Sequence, residues 1–388
     1  MPYDFDTVVE RRGTGSVKWD SVEEHTGTTE LLPLWVADMD FPAPPEIMEA
    51  IRRRVQHAVF GYVREPPSFF EAARQWYARR QDWTVPREWI VSSPSVLFGL
   101  SACLLAFTEP GDGVVIQPPV YYPFPLRIRG NGRRVVENPL LLRDGAWMMD
   151  LDGLQRAIDS RTRMLVLCSP HNPVGRVWER ATLERLAAIC RERRVLVVSD
   201  EIHGDLVMPG HHHVPIASLS AASAANTVTL VAATKTFNLA GLGGSLTIIA
   251  SEEHRRAFEA SQRAVHAGAP NVIAVAAAEA AWRHGEPWLD ELLAYLQGNY
   301  AFLAEFVRER LPKVHVFPLE GTYLALLDMA GLGLSPAGLL ERLRRDARVW
   351  LDEGTKFGRG AELMQRINLA CPRSTLREAL GRLARTVG

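Results

Sequence analysis

The apolar runs in the middle of the chain constrain its fold more than any other feature. They are "WIVSS" (89–93), "GVVIQPP" (113–119), "RMLVLCSP" (163–170), "VLVVSDE" (195–201), "TVTLVAATK" (227–235) and "GSLTIIA" (244–250). Unbroken Val/Ile/Leu runs of this length suit strands buried on both faces. Helical stretches separate them, such as "VLFGLSACLLAF" and the amphipathic "TLERLAAICRERR" (182–194). The alternation predicts an α/β fold, a sheet of mostly parallel strands covered by helices. Long helices are expected from about 252 to 311. The tail is mixed, with "HVFPLEGTYLALLDM", a helix near 336–346, "RVWLDEG", "RINLACP" and a last helix, and reads as a smaller α+β domain.

Bulk properties narrow the function. A chain of 388 residues suits two domains. A net charge of -1 argues against a general nucleic-acid or membrane-surface binder. Cys103, Cys168, Cys190 and Cys371 are scattered, as expected of reduced thiols in a cytoplasmic protein. The opening "MPYDFDTVVE" lacks the apolar core of a signal peptide, and "NVIAVAAAEAAW" is too short to span a bilayer. "HHH" (211–213) has no spacing partner for a metal and reads as a solvated loop.

Ligands of open α/β sheets gather at the carboxyl ends of the strands. There the sequence puts Ser95 and Val96 at a helix start, Tyr121, Asn172, Asp200 with His203, and Lys235. Singly, each has a plain structural use: Asn172 in a turn, Asp200 as a helix cap, Tyr121 in the core. Lys235 is harder to dismiss, because the chain has 4 lysines against 40 arginines. A guanidinium stays protonated, whereas a lysine amine can lose its proton and form an imine. Together the residues meet the needs of pyridoxal phosphate: a lysine for its aldehyde, a carboxylate for its pyridine nitrogen, an amide for its phenolic oxygen, an aromatic ring for one face and a helix start for its phosphate.

The segments "RRGTGSVKWD" (11–20), "PLWVADMDFPAPPEI" (33–47), "FGY" (60–62), "PPVYYPF" (118–124), "SPHNPVGRVW" (169–178), "SDEIHGDLV" (199–207), "TKTFNLAGL" (234–242), "GTYLALLD" (321–328) and "RINLACPRS" (366–374) cover nearly the whole chain. In these the chain resembles fold-type-I, class I/II aminotransferase-like proteins, and most closely their MalY/PatB-type cystathionine β-lyase (C–S lyase) branch. The resemblance implies a large pyridoxal-phosphate domain (46–285) with a mostly parallel seven-stranded sheet, a small C-terminal domain (286–388), and an N-terminal arm with part of the small domain (1–45). It implies Lys235 as the imine lysine, Asp200 as the pyridinium partner, Asn172 as the amide donor and Tyr121 as the stacking ring. His203 stands where sister transaminases tend to carry tyrosine. Tyr62 matches a tyrosine that reaches the partner subunit's phosphate, which implies a homodimer. Arg366 matches the fork that holds the substrate carboxylate, with Arg373 as its competitor. Many relatives place an arginine on the phosphate at the position of Gly243, so the phosphate is left to Ser95, Val96, Thr234 and Tyr62. "RRGTGSVKWD" reads as a lid or a strap.

The implied reaction is β-elimination from cystathionine or a cysteine S-conjugate, giving pyruvate, ammonia and a thiol, with Lys235 as the base. An aminotransferase would use the same residues, and a regulator that keeps the fold is the second alternative. The intact Lys235, Asp200 and Asn172 argue against a dead enzyme, and no basic extension points to DNA.

Overall fold

A computed structural model describes residues 3–266 and 270–388. Its main sheet has seven strands: β1 (Ile90–Ser93), β2 (Gly113–Ile116), β3 (Arg134–Glu137), β4 (Thr162–Cys168), β5 (Leu196–Asp200), β6 (Thr227–Val231) and β7 (Ser245–Ile249). They lie in the order β1-β7-β6-β5-β4-β2-β3. Strands β6, β5, β4, β2 and β3 run parallel, and β7 is antiparallel to both its neighbours.

Side-chain alternation explains the unbroken apolar runs. In β4, Leu165 and Leu167 enter one core cluster with Val115 and Val197. Met164 and Val166 enter another with Val114, Ile116 and Val198. Each face is thus sealed by its own helices, and a buried aliphatic side chain of this kind contributes about 1.5–3 kcal/mol. The expected helical stretch of 252–311 contains Glu252–Ala264, Val272–His284 and Glu286–Arg310, while 267–269 lie outside the described residues.

A smaller antiparallel sheet follows, with β8 (His315–Val316), β9 (Leu324–Asp328), β10 (Asp352–Glu353) and β11 (Met364–Asn368) in the order β8-β9-β11-β10. The helix expected near 336–346 is shorter: Pro336–Glu341 is α-helical and Arg342–Asp346 widens into a π-turn. The N-terminal segment joins this half of the molecule, since Leu32–Pro33 pairs in parallel with Val349–Trp350. Ahead of it, residues 11–20 act as a strap. Lys18 is fully buried and donates to Asp40 at 2.6 Å, Trp19 Nε1 donates to Asp40 at 3.0 Å, and Arg11 pairs with both Asp38 and Asp40 at 2.8 Å. Asp40 is buried, yet Lys18, Trp19 and Arg11 outweigh that desolvation and hold its carboxyl below the usual range.

Candidate active site

The carboxyl edge of the main sheet closes around a cavity of about 230 Å³ lined by Ser95, Val96, Tyr121, Asn172, Asp200, His203, Thr234 and Lys235. They come from five turns at that edge, with Ser95 and Val96 on one, Asp200 and His203 on another, and Thr234 and Lys235 on a third. The Ser95 hydroxyl caps the helix Val96–Phe107 by accepting from the Phe98 N–H at 3.2 Å. The remaining first-turn N–H groups of that helix have no intrahelical acceptor, and its positive dipole end points at the sheet edge. Asn172 follows β4, Asp200 ends β5, and His203 lies in the turn after it.

Lys235 differs from its expected place on a strand. Strand β6 stops at Val231, and Lys235 sits in the helical turn Ala233–Thr236. Pairing with β5 has already run out at Leu230, opposite Asp200, so the backbone is free to coil.

Electrostatics mark the cavity as a site for a charged ligand. Burial pushes the Asp200 carboxyl up to about 7, helped by neighbouring Glu201 and opposed by the Ile202 N–H and Lys235. That N–H, at 3.2 Å, is the one hydrogen bond the carboxylate makes among the described residues. Burial lowers Lys235 to about 8, with Asp38 and Asp200 pulling the other way and Arg366 reinforcing the drop. His203 is pushed down to about 3, first by burial and then by Lys235 and Arg366, so it is neutral. Burial raises the Tyr121 phenol. Among the described residues the buried Asp200 carboxylate has no cation paired with it and His203 Nδ1 has no hydrogen-bond partner, needs that a pyridinium-bearing phosphate ester would satisfy. The residues therefore fit pyridoxal phosphate.

Arg366 lies in the middle of β11, between β9 and β10, and pairing with those strands carries β11 back to Met364. It is buried and donates to Asn172 Oδ1 at 2.8 Å, to the Trp35 carbonyl at 2.9 Å and to Asp352. Arg373 opens the last helix and is engaged elsewhere, on Asn299 and over the Tyr295 and Phe302 rings. Tyr62 is fully exposed in the irregular segment 58–66 and does not line the cavity of its own chain. Gly243 does line it, at φ +70°, and a Cβ there would lie 3.1 Å from the Pro94 carbonyl. The Gly244 N–H donates to that same carbonyl at 2.6 Å, so the turn is pressed against the Ser95 loop and disfavours a side chain.

The solvated reading of "HHH" needs correction. His211 and His212 are exposed, but His213 is buried, with Nε2 3.0 Å from Glu201. The acidic residue after Asp200 draws it in, a pairing between distant positions that spacing does not reveal.

Sequence reasoning also missed the segment 37–40. The Ala37 carbonyl lines the cavity and accepts from Lys235 Nζ at 2.5 Å and from the Tyr323 hydroxyl at 2.8 Å. A backbone acceptor leaves no residue-type signal. The flanking "ADMD", with two carboxylates near a buried lysine, was the available clue.

The model of the family "Aminotransferase class I and II" matches residues 29–383. Cystathionine beta-lyase PatB of Bacillus subtilis (strain 168) is 45% identical over 380 residues, 98% of each chain. Cystalysin from Treponema denticola, whose structure contains pyridoxal 5'-phosphate, is 35% identical with a TM-score of 0.96, covering 100% of this chain and 99% of its own. The PLP-bound C-S lyase from Staphylococcus hominis is 30% identical with a TM-score of 0.92, over 99% and 98% of the two chains. The chain belongs to the aminotransferase class I and II family of pyridoxal-phosphate proteins, in its MalY/PatB-type cystathionine β-lyase branch.

Proposed function

We propose that the chain is a pyridoxal-phosphate-dependent C–S β-lyase that releases a thiol, pyruvate and ammonia from cystathionine or a related cysteine S-conjugate. The observation that carries the reading is the convergence of Lys235, Asp200 and Asn172 on one enclosed cavity, in a chain that matches a cystathionine β-lyase over its full length. Asp200 would hold the ring nitrogen, Asn172 the phenolic oxygen and Tyr121 the ring face. His203 would lie beside them as a neutral hydrogen-bonding ring. Ser95, Val96 and Thr234 would hold the phosphate, and Lys235 the aldehyde. When bound, the cofactor supplies an electron sink for the charge left at the substrate Cα.

The chain's own task is to move protons and fix the substrate. Lys235 Nζ, with its lowered pKa, takes the Cα proton, and the Ala37 carbonyl and Asp38 receive the resulting ammonium. Arg366 grips the substrate carboxylate as a planar fork. Departure of a thiolate from Cβ completes the elimination, and sulfur leaves far more easily than oxygen.

A homodimer would bring Tyr62 to the partner's phosphate, and the exposure of Val59, Phe60 and Tyr62 on one segment supports it. Residues 46–285 are read as the large domain, with 286–388 and the arm 1–45 making the small one; the two sheets support the division. A cytoplasmic location is supported by four free, buried cysteines. Among the described residues, no helix is long and apolar enough to cross a membrane.

Incubation with L-cystathionine tests the proposal. Pyruvate and free thiol should appear together, in excess over any amino transfer to 2-oxoglutarate. Amino transfer without thiol release would make the chain an aminotransferase.

A further inference from the structure

Lys356 is one of the chain's four lysines and takes no part in the reaction as described. Its surroundings give it a use. Asp352 lies opposite Arg366 across β10 and β11 and is almost fully buried. One of its oxygens accepts from Arg366, and the other accepts from Lys356 Nζ at 3.2 Å. Lys356 Nζ also lies 4.0 Å from Glu353, which pairs with Arg344, and 5.6 Å from the centre of the Trp35 ring. Trp35 is stacked at 4.4 Å on Trp350, and its carbonyl accepts from Arg366.

An isolated Arg366–Asp352 pair would be neutral and would have little attraction for an incoming carboxylate. With Lys356 on the second oxygen, the cluster of Arg344, Lys356 and Arg366 against Asp352 and Glu353 carries one net positive charge. Arg366 Nε is buried and has no acceptor among the described residues, so an open donor accompanies that charge. We propose that Lys356 is a positioning residue for substrate capture. By holding Asp352 it leaves Arg366 cationic toward the α-carboxylate of the amino acid. The proposal rests on the reading of Arg366 as the carboxylate anchor.

The test uses holoenzyme with a matched pair of ligands: S-methyl-L-cysteine as substrate, and S-methylcysteamine, which lacks the carboxylate, as inhibitor. Lys356→Met should raise KM for S-methyl-L-cysteine about three- to tenfold, as loss of a half-exposed ion pair allows, with kcat essentially unchanged. Inhibition by S-methylcysteamine and the cofactor's visible spectrum should stay as in the parent protein. Lys356→Arg should restore KM, and adding Asp352→Asn to Lys356→Met should recover part of it by restoring the net charge. Unchanged KM in Lys356→Met, or equal weakening of both ligands, overturns the proposal. Arg366→Ala separates the two readings: if it too weakens both ligands alike, the anchor assignment is what has failed.

Discussion

The Arg366 guanidinium donates to Asn172 Oδ1 at 2.8 Å, although Arg366 lies in the small antiparallel sheet and Asn172 follows a strand of the large one. The residues proposed as substrate anchor and as amide for the cofactor's phenolic oxygen therefore form one hydrogen-bonded unit. On the proposed roles of the two residues, a change at Arg366 would reach the cofactor's phenolic oxygen through this one contact.

Arg366→Ala should raise KM for every amino acid tested, because the α-carboxylate is common to all of them. Losing a buried charged contact costs about 2–5 kcal/mol, or roughly a 30-fold to more than 1000-fold fall in kcat/KM. Arg373→Ala should do much less, since that side chain is spent on Asn299 and two aromatic rings. Steady-state kinetics on both variants check the assignment, and the reverse order of effects would transfer the anchor to Arg373.

Asp200→Asn should leave cofactor binding largely intact and cut turnover severely. A neutral amide cannot hold a pyridinium charge, so the charge left at Cα loses its stabilisation. The comparison of bound cofactor, by absorbance, with pyruvate formation separates the two effects. Near-normal turnover would reduce Asp200 to a structural cap.

The cofactor-free protein should show two opposing pH slopes in its unfolding free energy. Asp200 is raised from 3.8 to about 7, so the folded chain holds a proton that the unfolded chain has lost, and stability falls as pH rises through that window. Lys235 is lowered from 10.5 to about 8, so between those values the unfolded chain holds the extra proton and stability rises. Urea unfolding across pH should show the first slope weakened in Asp200→Asn and the second in Lys235→Met. Slopes identical to the parent protein would mean neither group is buried as described.

Lys18→Met should destabilise the protein by about 3–5 kcal/mol, because it leaves Asp40 buried without its closest cation. The strap it anchors holds the 37–40 segment, so activity should fall along with stability. Thermal unfolding and kinetics on the same preparation test this, and an unchanged midpoint would show that Arg11 and Trp19 hold Asp40 unaided.

The sheet was legible because its strands are buried on both faces, and alternate residues of Val114–Ile116 and Met164–Leu167 fill opposite cores. The strand-end residues were legible because the topology sends every parallel strand's carboxyl end to one edge. What stayed hidden depends on long-range pairing. Lys235 sits on a helical turn because β5 offers β6 no partner beyond Leu230, and Arg366 sits mid-strand because β9 and β10 flank it. The burial of His213 against Glu201 and the Ala37 carbonyl beneath Lys235 likewise arise between residues far apart in the chain.

Lys235 is the proposed reactive amine of the pyridoxal-phosphate cavity. Borohydride reduction of the purified yellow protein, followed by peptide mapping, tests that assignment directly, because the chain has only four lysines to distinguish. The cofactor should be found on the peptide containing Lys235 and be lost in Lys235→Ala. Attachment at Lys18, Lys313 or Lys356, or a colourless protein that takes up no pyridoxal phosphate, would contradict it.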